Sequence, residues 1–206
     1  EGRGFIKRAY GGAELVTNFS DAISFGKRAY HNIKEKHIIA KKAARLIKDG
    51  DVIFMDQSSS AFYLANEIVE RTNLTVITNN IEILSILSKG ACKVVASGGF
   101  LSAENRSCLI GGDAQSVFEN TYADILFFSA KSLSGDGIIS DCTREEVVLR
   151  NSMLKNAAQK VFLCDSAKFD TRSAYKQCGL DEIDYLVSDN ETAQKFRSCS
   201  KSLTIL

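Results

Sequence analysis

A carboxylate, an amide and three hydroxyls stand side by side at Asp56-Gln57-Ser58-Ser59-Ser60. The apolar run before them, Val52 to Met55, is short enough for a buried strand and is released by a turn at Asp49-Gly50. After them Phe62, Ala65, Ile68 and Val69 recur at helical spacing. A strand, a small-residue loop and a helix N-terminus in that order make an anion seat. The first amides of a helix have no intrahelical acceptor, and the helix dipole favours negative charge there. The serine hydroxyls add donors, and Asp56 can accept bonds from ligand hydroxyls. A phosphorylated polyol satisfies both halves, although a serine N-cap on an ordinary crossover accounts for the same residues without a ligand.

Four further clusters follow apolar runs and invite the same question. Thr78-Asn79-Asn80 can take sugar hydroxyls or a carbonyl, or simply cap the next helix. Gly98-Gly99 lets backbone approach a ligand closely, or turns the chain. Lys131 and Asp136 lie in a stretch from Ser129 to Cys142, too long for a mere connector. Lys168, three residues after Asp165, is a phosphate-facing ammonium or a surface ion pair. Glu146 completes the capping-box form Thr143-Arg144-Glu145-Glu146, and Arg28 and Lys36 read as helix flank. With two histidines and no C-x-x-C pair among six cysteines, no zinc site or His-based triad is expected. No catalytic residue, metal or cofactor is assigned.

The elements that must position these groups alternate between strand and helix. A helix from Lys34 carries Ile38, Ile39, Ala43, Leu46 and Ile47 to the Asp49-Gly50 stop. Strands are expected at Val52–Met55, Asn73–Thr78, Cys92–Ala96, Ala123–Phe128, Lys160–Cys164, Tyr185–Val187 and Leu203–Leu206. Helices are expected after Ser60, Asn80, Gly112 and Thr143, with a short one at Glu191–Phe196. Leu101 to Ser107 reads as a polar loop, and residues 17 to 33 give no decided pattern. The fold class is α/β, a parallel-rich sheet with helices on both faces. In such sheets ligands bind at the carboxyl ends of strands where the strand order reverses.

Composition bounds the function. A chain of 206 residues with net charge +1 has room for one sizeable core but no basic face for nucleic acid. No apolar run is long enough for a membrane span and no signal peptide opens the chain, so no membrane partner is expected. The scattered thiols fit a reducing cytoplasm. Lacking an initiator Met, the chain is expected to be part of a longer protein, with residues 1–13 a lead-in strand or linker and residues 14–206 the main domain.

The ordered series resembles the effector-sensing domain of DeoR-family bacterial transcriptional regulators. Tyr10-Gly11-Gly12-Ala13, Lys36-x-x-Ile39-Ala40 and Ile47-x-Asp49-Gly50-Asp51 open the likeness. Asp56 to Ser60, Leu74 to Asn79, Ser97-Gly98-Gly99, Ala123-Asp124, Asp136-Gly137-Ile138, Glu146, Met153 and Asp165-Ser166-Ala167-Lys168-Phe169 continue it in order. The resemblance implies a fold similar to ribose-5-phosphate isomerase and the CoA transferases. It also implies a phosphorylated sugar or sugar-derived effector, operator DNA read by an upstream helix-turn-helix domain absent from this chain, and a homo-oligomer. Asp56, Gln57, Ser58, Ser59, Ser60, Thr78, Asn79, Asn80, Gly98, Gly99, Lys131, Asp136 and Lys168 form the expected binding set. The chain departs from the family at Gln57-Ser58-Ser59, where a small residue and then Gly are usual; a serine forced to positive φ there would be strained. Two other roles fit the sequence. A phosphosugar isomerase needs a carboxylate base within reach of the abstracted proton; the resemblance to isomerases of this fold implies that it follows the third strand, where Ser97 to Ser102 hold no acid before Glu104. An oligomerisation domain with a vestigial pocket is the other.

Overall fold

The computed structural model describes the secondary structure of residues 6–9 and 12–15, and the backbone and side chains of residues 25–206. β1 (Ile6–Ala9) and β2 (Gly12–Leu15) pair as an antiparallel hairpin, so the expected boundary at residues 13/14 falls within β2. α1 (Phe25–Ala29) and α2 (Ile33–Ala43) follow. α2 tightens into a 3-10 turn at Ala44–Leu46 before the expected Asp49-Gly50 stop. Arg71 explains how that end is satisfied: its guanidinium donates to the carbonyls of Ala44 at 2.9 Å and Ile47 at 3.0 Å.

β3 (Val52–Met55), α3 (Ser59–Ile68), β4 (Thr75–Thr78), α4 (Ile81–Leu87) and β5 (Lys93–Ala96) then alternate. A hairpin of β6 (Phe100–Leu101) and β7 (Leu109–Ile110) replaces part of the expected polar loop. α5 (Gly112–Glu119) leads into β8 (Ala123–Phe128). The stretch from Ser129 to Cys142 is not a loop: it contains β9 (Ser132–Leu133) and β10 (Ile138–Asp141). α6 (Arg144–Lys155) and β11 (Ala157–Leu163) follow, the strand starting three residues earlier than expected. β12 (Tyr175–Gly179), β13 (Tyr185–Val187), a 3-10 helix at Glu191–Cys199 where a short helix is expected, and β14 (Thr204–Ile205) complete the chain.

Seven strands form one parallel sheet in the order β14-β13-β11-β8-β3-β4-β5. From β3 the chain moves outward through β4 and β5, then returns to lay β8 and later strands on the opposite side. The order therefore reverses between β3 and β8, and their carboxyl ends flank a crevice. Successive residues of β3 serve opposite cores: Ile53 and Met55 pack with Ile39, Leu64 and Ile68 of α2 and α3, while Phe54 packs with Phe118 and Met153 of α5 and α6. Phe54 meets Phe118 edge-on, with centroids 5.2 Å apart. Each such fully buried side chain contributes about 1.5–3 kcal/mol of apolar burial. Helices thus cover both faces of the sheet.

A second, antiparallel sheet, β12-β10-β9, stands over the carboxyl ends of the main strands. Among the described residues no helix is long and apolar enough to cross a membrane.

Candidate functional site

Asp56 ends β3 and is fully buried, so its charge needs compensation where it stands. One oxygen accepts the Ser58 amide at 3.0 Å. The other accepts Arg150 Nε and the Ser129 amide, each at 3.1 Å. Arg150 is equally buried on α6 and extends the brace, donating to Asp141 Oδ2 at 3.2 Å on β10 and to Gln177 Oε1 at 2.7 Å on β12. Burial opposes its charge, but the facing carboxylates, Asp56 foremost, outweigh burial and hold its pKa above the ordinary value. One guanidinium therefore fixes the end of β3 to the upper sheet, and Asp56 holds the end of β8 to it through the Ser129 amide.

Above this brace opens a cavity of about 420 Å³. Its floor is the N-terminus of α3. Ser58 adopts φ −76° and ψ 152°, and its hydroxyl accepts the Ala61 amide at 3.1 Å. Gln57, Ser58 and Ser59 all lie outside the positive-φ residues, so the departure from the family pattern brings no strain at this turn. The amides of Ser59 and Ser60 have no acceptor among the described residues; Ser59 lines the cavity at the positive end of the helix dipole, whereas Ser60 is fully buried beneath it.

Basic groups crowd one wall. Lys168 Nζ donates to Ser129 Oγ at 2.7 Å and lies 3.3 Å from Asp165 Oδ2. Burial pushes the Asp165 carboxyl up, but Lys168, the Asn32 amide and Lys36 more than offset this and hold it below the ordinary range. Lys36 is buried on α2, and burial followed by the charge of Lys168 lowers its pKa to about 8. Arg28 adds a third cation, and Lys131 and Arg172 reach the cavity from the side of the upper sheet.

The opposite wall carries hydroxyl-binding groups. Glu146 is buried and accepts Gln57 Nε2 and Asn105 Nδ2, each at 3.0 Å. It does not form the expected capping box: Thr143 makes no side-chain cap bond, and Gln57 and Asn105 hold the Glu146 carboxylate in the cavity wall. Cys142, beside it, has its thiol pushed up by burial and then by Asp141, which keeps it a neutral lining group. All three lining carboxylates, Asp141, Glu146 and Asp165, are held by donors of the protein.

Of the expected binding set, Ser58, Ser59, Lys131 and Lys168 line the cavity. Asp56, Gln57 and Ser60 lie beneath it, and the first two are structural supports because their polar atoms are taken by the protein. Thr78 accepts the Asn80 amide, Asn79 donates to Gln57 Oε1 and Leu109 O, and Asn80 caps α4; none of the three lines the cavity. Gly98 and Gly99 have φ of 72° and 91° and bend the chain into β6. A Cβ on Gly99 would lie 2.3 Å from Ile110 O, so that glycine serves a close backbone approach within the protein. Asp136 stands outside the lining, where Ser134 Oγ and then Arg172 hold its carboxyl below the ordinary range. Arg28, Lys36 and Glu146 join the cavity despite their sequence context as helix flank and cap. Asp165, flagged in the sequence only as a strand-end partner of Lys168, and Thr143, flagged only as a cap, join it too, and Asn32, Asn105, Asp141 and Arg150 join it with no local signal.

Comparison with known proteins places this geometry in context. Residues 31–190 match the family model described as the DeoR C terminal sensor domain. The HTH-type transcriptional regulator GolR of Listeria innocua is 32% identical over 93% of this chain and 75% of its own length. GlpR of Haloferax volcanii, also an HTH-type transcriptional regulator, is 28% identical over 92% of this chain and 74% of its own. The lactose phosphotransferase system repressor of Streptococcus mutans is 30% identical over the whole chain and 82% of its own length. Among solved structures, eIF2B delta of Chaetomium thermophilum shares the fold at a TM-score of 0.55 and 16% identity, over 79% of this chain and 58% of that one. Ribose 5-phosphate isomerase A of Methanocaldococcus jannaschii gives 0.47 at 18% identity, over 65% of this chain and 53% of that one.

Proposed function

This chain belongs to the DeoR family of HTH-type transcriptional regulators and is its ligand-sensing domain, and from that premise we propose that the cavity takes a phosphorylated sugar or a related phosphate ester. The observation that carries this is the charge of the lining. Nine charged residues line it, and Arg150, Lys168 and Arg172 are ion-paired, to Asp56 and Asp141, to Asp165 and to Asp136; Arg28, Lys36 and Lys131 have no carboxylate partner among the described residues, and Ser59, whose amide is free, lines the same cavity. The phosphate sits against Ser58, Ser59 and Lys168, where charge-assisted bonds are strongest. The sugar hydroxyls donate to Glu146 and meet Asn105 and Thr143 on the opposite wall. Asp56, Gln57 and Arg150 act from below, holding the floor in position.

Binding shifts the regulator between arrangements of different DNA affinity, the DNA being read by a helix-turn-helix unit upstream in a cytoplasmic protein. Such a shift requires that the ligand bind the two arrangements with different affinity. The name of the Streptococcus mutans relative, a repressor of a lactose phosphotransferase system, supports a sugar-derived effector.

A thermal-shift panel of triose, pentose and hexose phosphates beside their unphosphorylated sugars tests the assignment. At a hundred times its dissociation constant a true effector adds about 2.7 kcal/mol, or ~6 °C for a chain of this size. Equal shifts with and without phosphate, or none at millimolar ligand, would refute it.

A further inference from the structure

The corner between α1 and α2 stands at the cavity wall with its backbone held and one side chain unmatched. Asn32, the junction residue, lies at φ 52° and ψ 47°, a left-handed conformation that asparagine tolerates better than most residues. Its side chain leaves α2 uncapped and instead donates to Asp165 Oδ1 at 2.9 Å, tying the corner to the end of β11. The carbonyls closing α1 are gathered locally: Lys36 Nζ donates to Arg28 O and His31 O, and Tyr63 Oη donates to Ala29 O at 2.9 Å. The corner is thereby held by α2 from within and by α3 and the end of β11 from outside.

Arg28 is the exception within it. Its side chain lines the cavity, and its Nε is buried with no acceptor among the described residues. A buried guanidinium N–H without an acceptor is a free-energy cost that an oxyanion in the cavity removes.

We propose that Arg28 is the group through which a bound phosphate draws the α1–α2 corner onto the cavity, so that occupancy is passed to the chain preceding Phe25. The inference rests on the phosphate-ester assignment above and adds the route by which that site reports. In the bound state the anion bridges Arg28 on the corner to Lys168 and the Ser59 amide on the sheet side. The corner is then held by the ligand as well as by Asn32 and Asp165. A ligand bound this way prefers the docked corner, which supplies the difference in affinity that a switch needs.

Hydrogen–deuterium exchange on the 206-residue chain tests this, with inorganic phosphate as the probe and calorimetry reporting its binding. With phosphate at ten times its dissociation constant, amides of residues 25–36 exchange ~10-fold more slowly, because opening of the corner requires release of the anion. In Arg28→Gln, phosphate still binds through Lys168 and α3, but the slowing at residues 25–36 disappears. In Lys168→Met the affinity falls, yet the slowing returns at saturating phosphate. Phosphate binding without slowing in the unmodified chain, or slowing that persists in Arg28→Gln, overturns the corner proposal and leaves the phosphate site standing. Failure of phosphate to bind the unmodified chain removes both.

Discussion

Replacing Arg150 by Met tests whether the cavity floor depends on one buried charge. The guanidinium is fully enclosed and lies 3.1 Å from Asp56 Oδ2 and 3.2 Å from Asp141 Oδ2. Met approximates its stem but leaves Asp56, itself fully buried, with two backbone amides as its remaining donors. Removing one partner of a buried pair costs about 3–5 kcal/mol, because the other charge stays desolvated and uncompensated. Unfolding entropy near 2.1 cal/mol/K per residue, taken over the chain, turns this into a Tm lower by ~7–12 °C. Differential scanning calorimetry at neutral pH reads the shift directly. The double variant Asp56→Asn with Arg150→Met removes both charges and recovers at least ~1 kcal/mol of the loss, since sites in contact are not additive. A single-variant shift below ~2 °C would mean that water or an ion reaches Asp56, and the claim of a dry brace would fail.

Lys36, lowered to about 8 by burial and by Lys168, makes anion binding pH-dependent. An anion favours the charged ammonium, so binding takes up protons near pH 8 and weakens as pH rises further, visible as buffer-dependent heats in calorimetry; Lys36→Met abolishes the uptake. The same shift has a sign for the ligand-free chain: the unfolded state holds more protons between the folded pKa and the ordinary lysine value, so this group's contribution to stability rises with pH across that window. Glu146→Gln sets an amide against the Gln57 and Asn105 donors and removes the charged acceptor for sugar hydroxyls. Effector affinity drops ~10–150-fold by calorimetry, the equivalent of one charge-assisted hydrogen bond. Asn80→Ala deletes the cap of α4 at about 1 kcal/mol, a Tm change of ~2–3 °C, and leaves affinity unaltered; a collapse in affinity would place Asn80 against the ligand after all.

The central strands were legible because buried parallel strands are apolar on both faces. Ile53, Phe54 and Met55, or Ile125 to Phe128, cannot be accommodated at a surface. The Ser58 turn was legible because a strand end, a hydroxyl cap and a helix start are contiguous in the chain. The rest of the cavity was hidden because its groups meet only through topology. Arg150 and Asp56 are 94 residues apart, and Asn32 and Asp165 are 133 apart. Glu146 shows how a local pattern can mislead: Thr143-x-x-Glu146 has the spacing of a capping box, but Gln57 and Asn105 hold the carboxylate in the cavity wall. β12, Tyr-Lys-Gln-Cys-Gly, shows no apolar alternation because its Gln177 faces a buried guanidinium rather than an apolar core. Asp136 matched the family order yet stands outside the lining, since sequence order places an element and not the direction of its side chain.

The position of β3 between β4 and β8 has a consequence for biosynthesis. β3, β4 and β5 are neighbours in both sequence and space, and they can associate as soon as residue 96 has left the ribosome. The other edge of β3 waits for β8, whose first residue is 71 positions beyond the first of β3. At ~5–20 residues per second the nascent chain presents an apolar, unpaired strand margin for roughly 4–14 s. During that interval the crevice between β3 and β8 is not yet formed, so the emerging polypeptide has no means of detecting a metabolite.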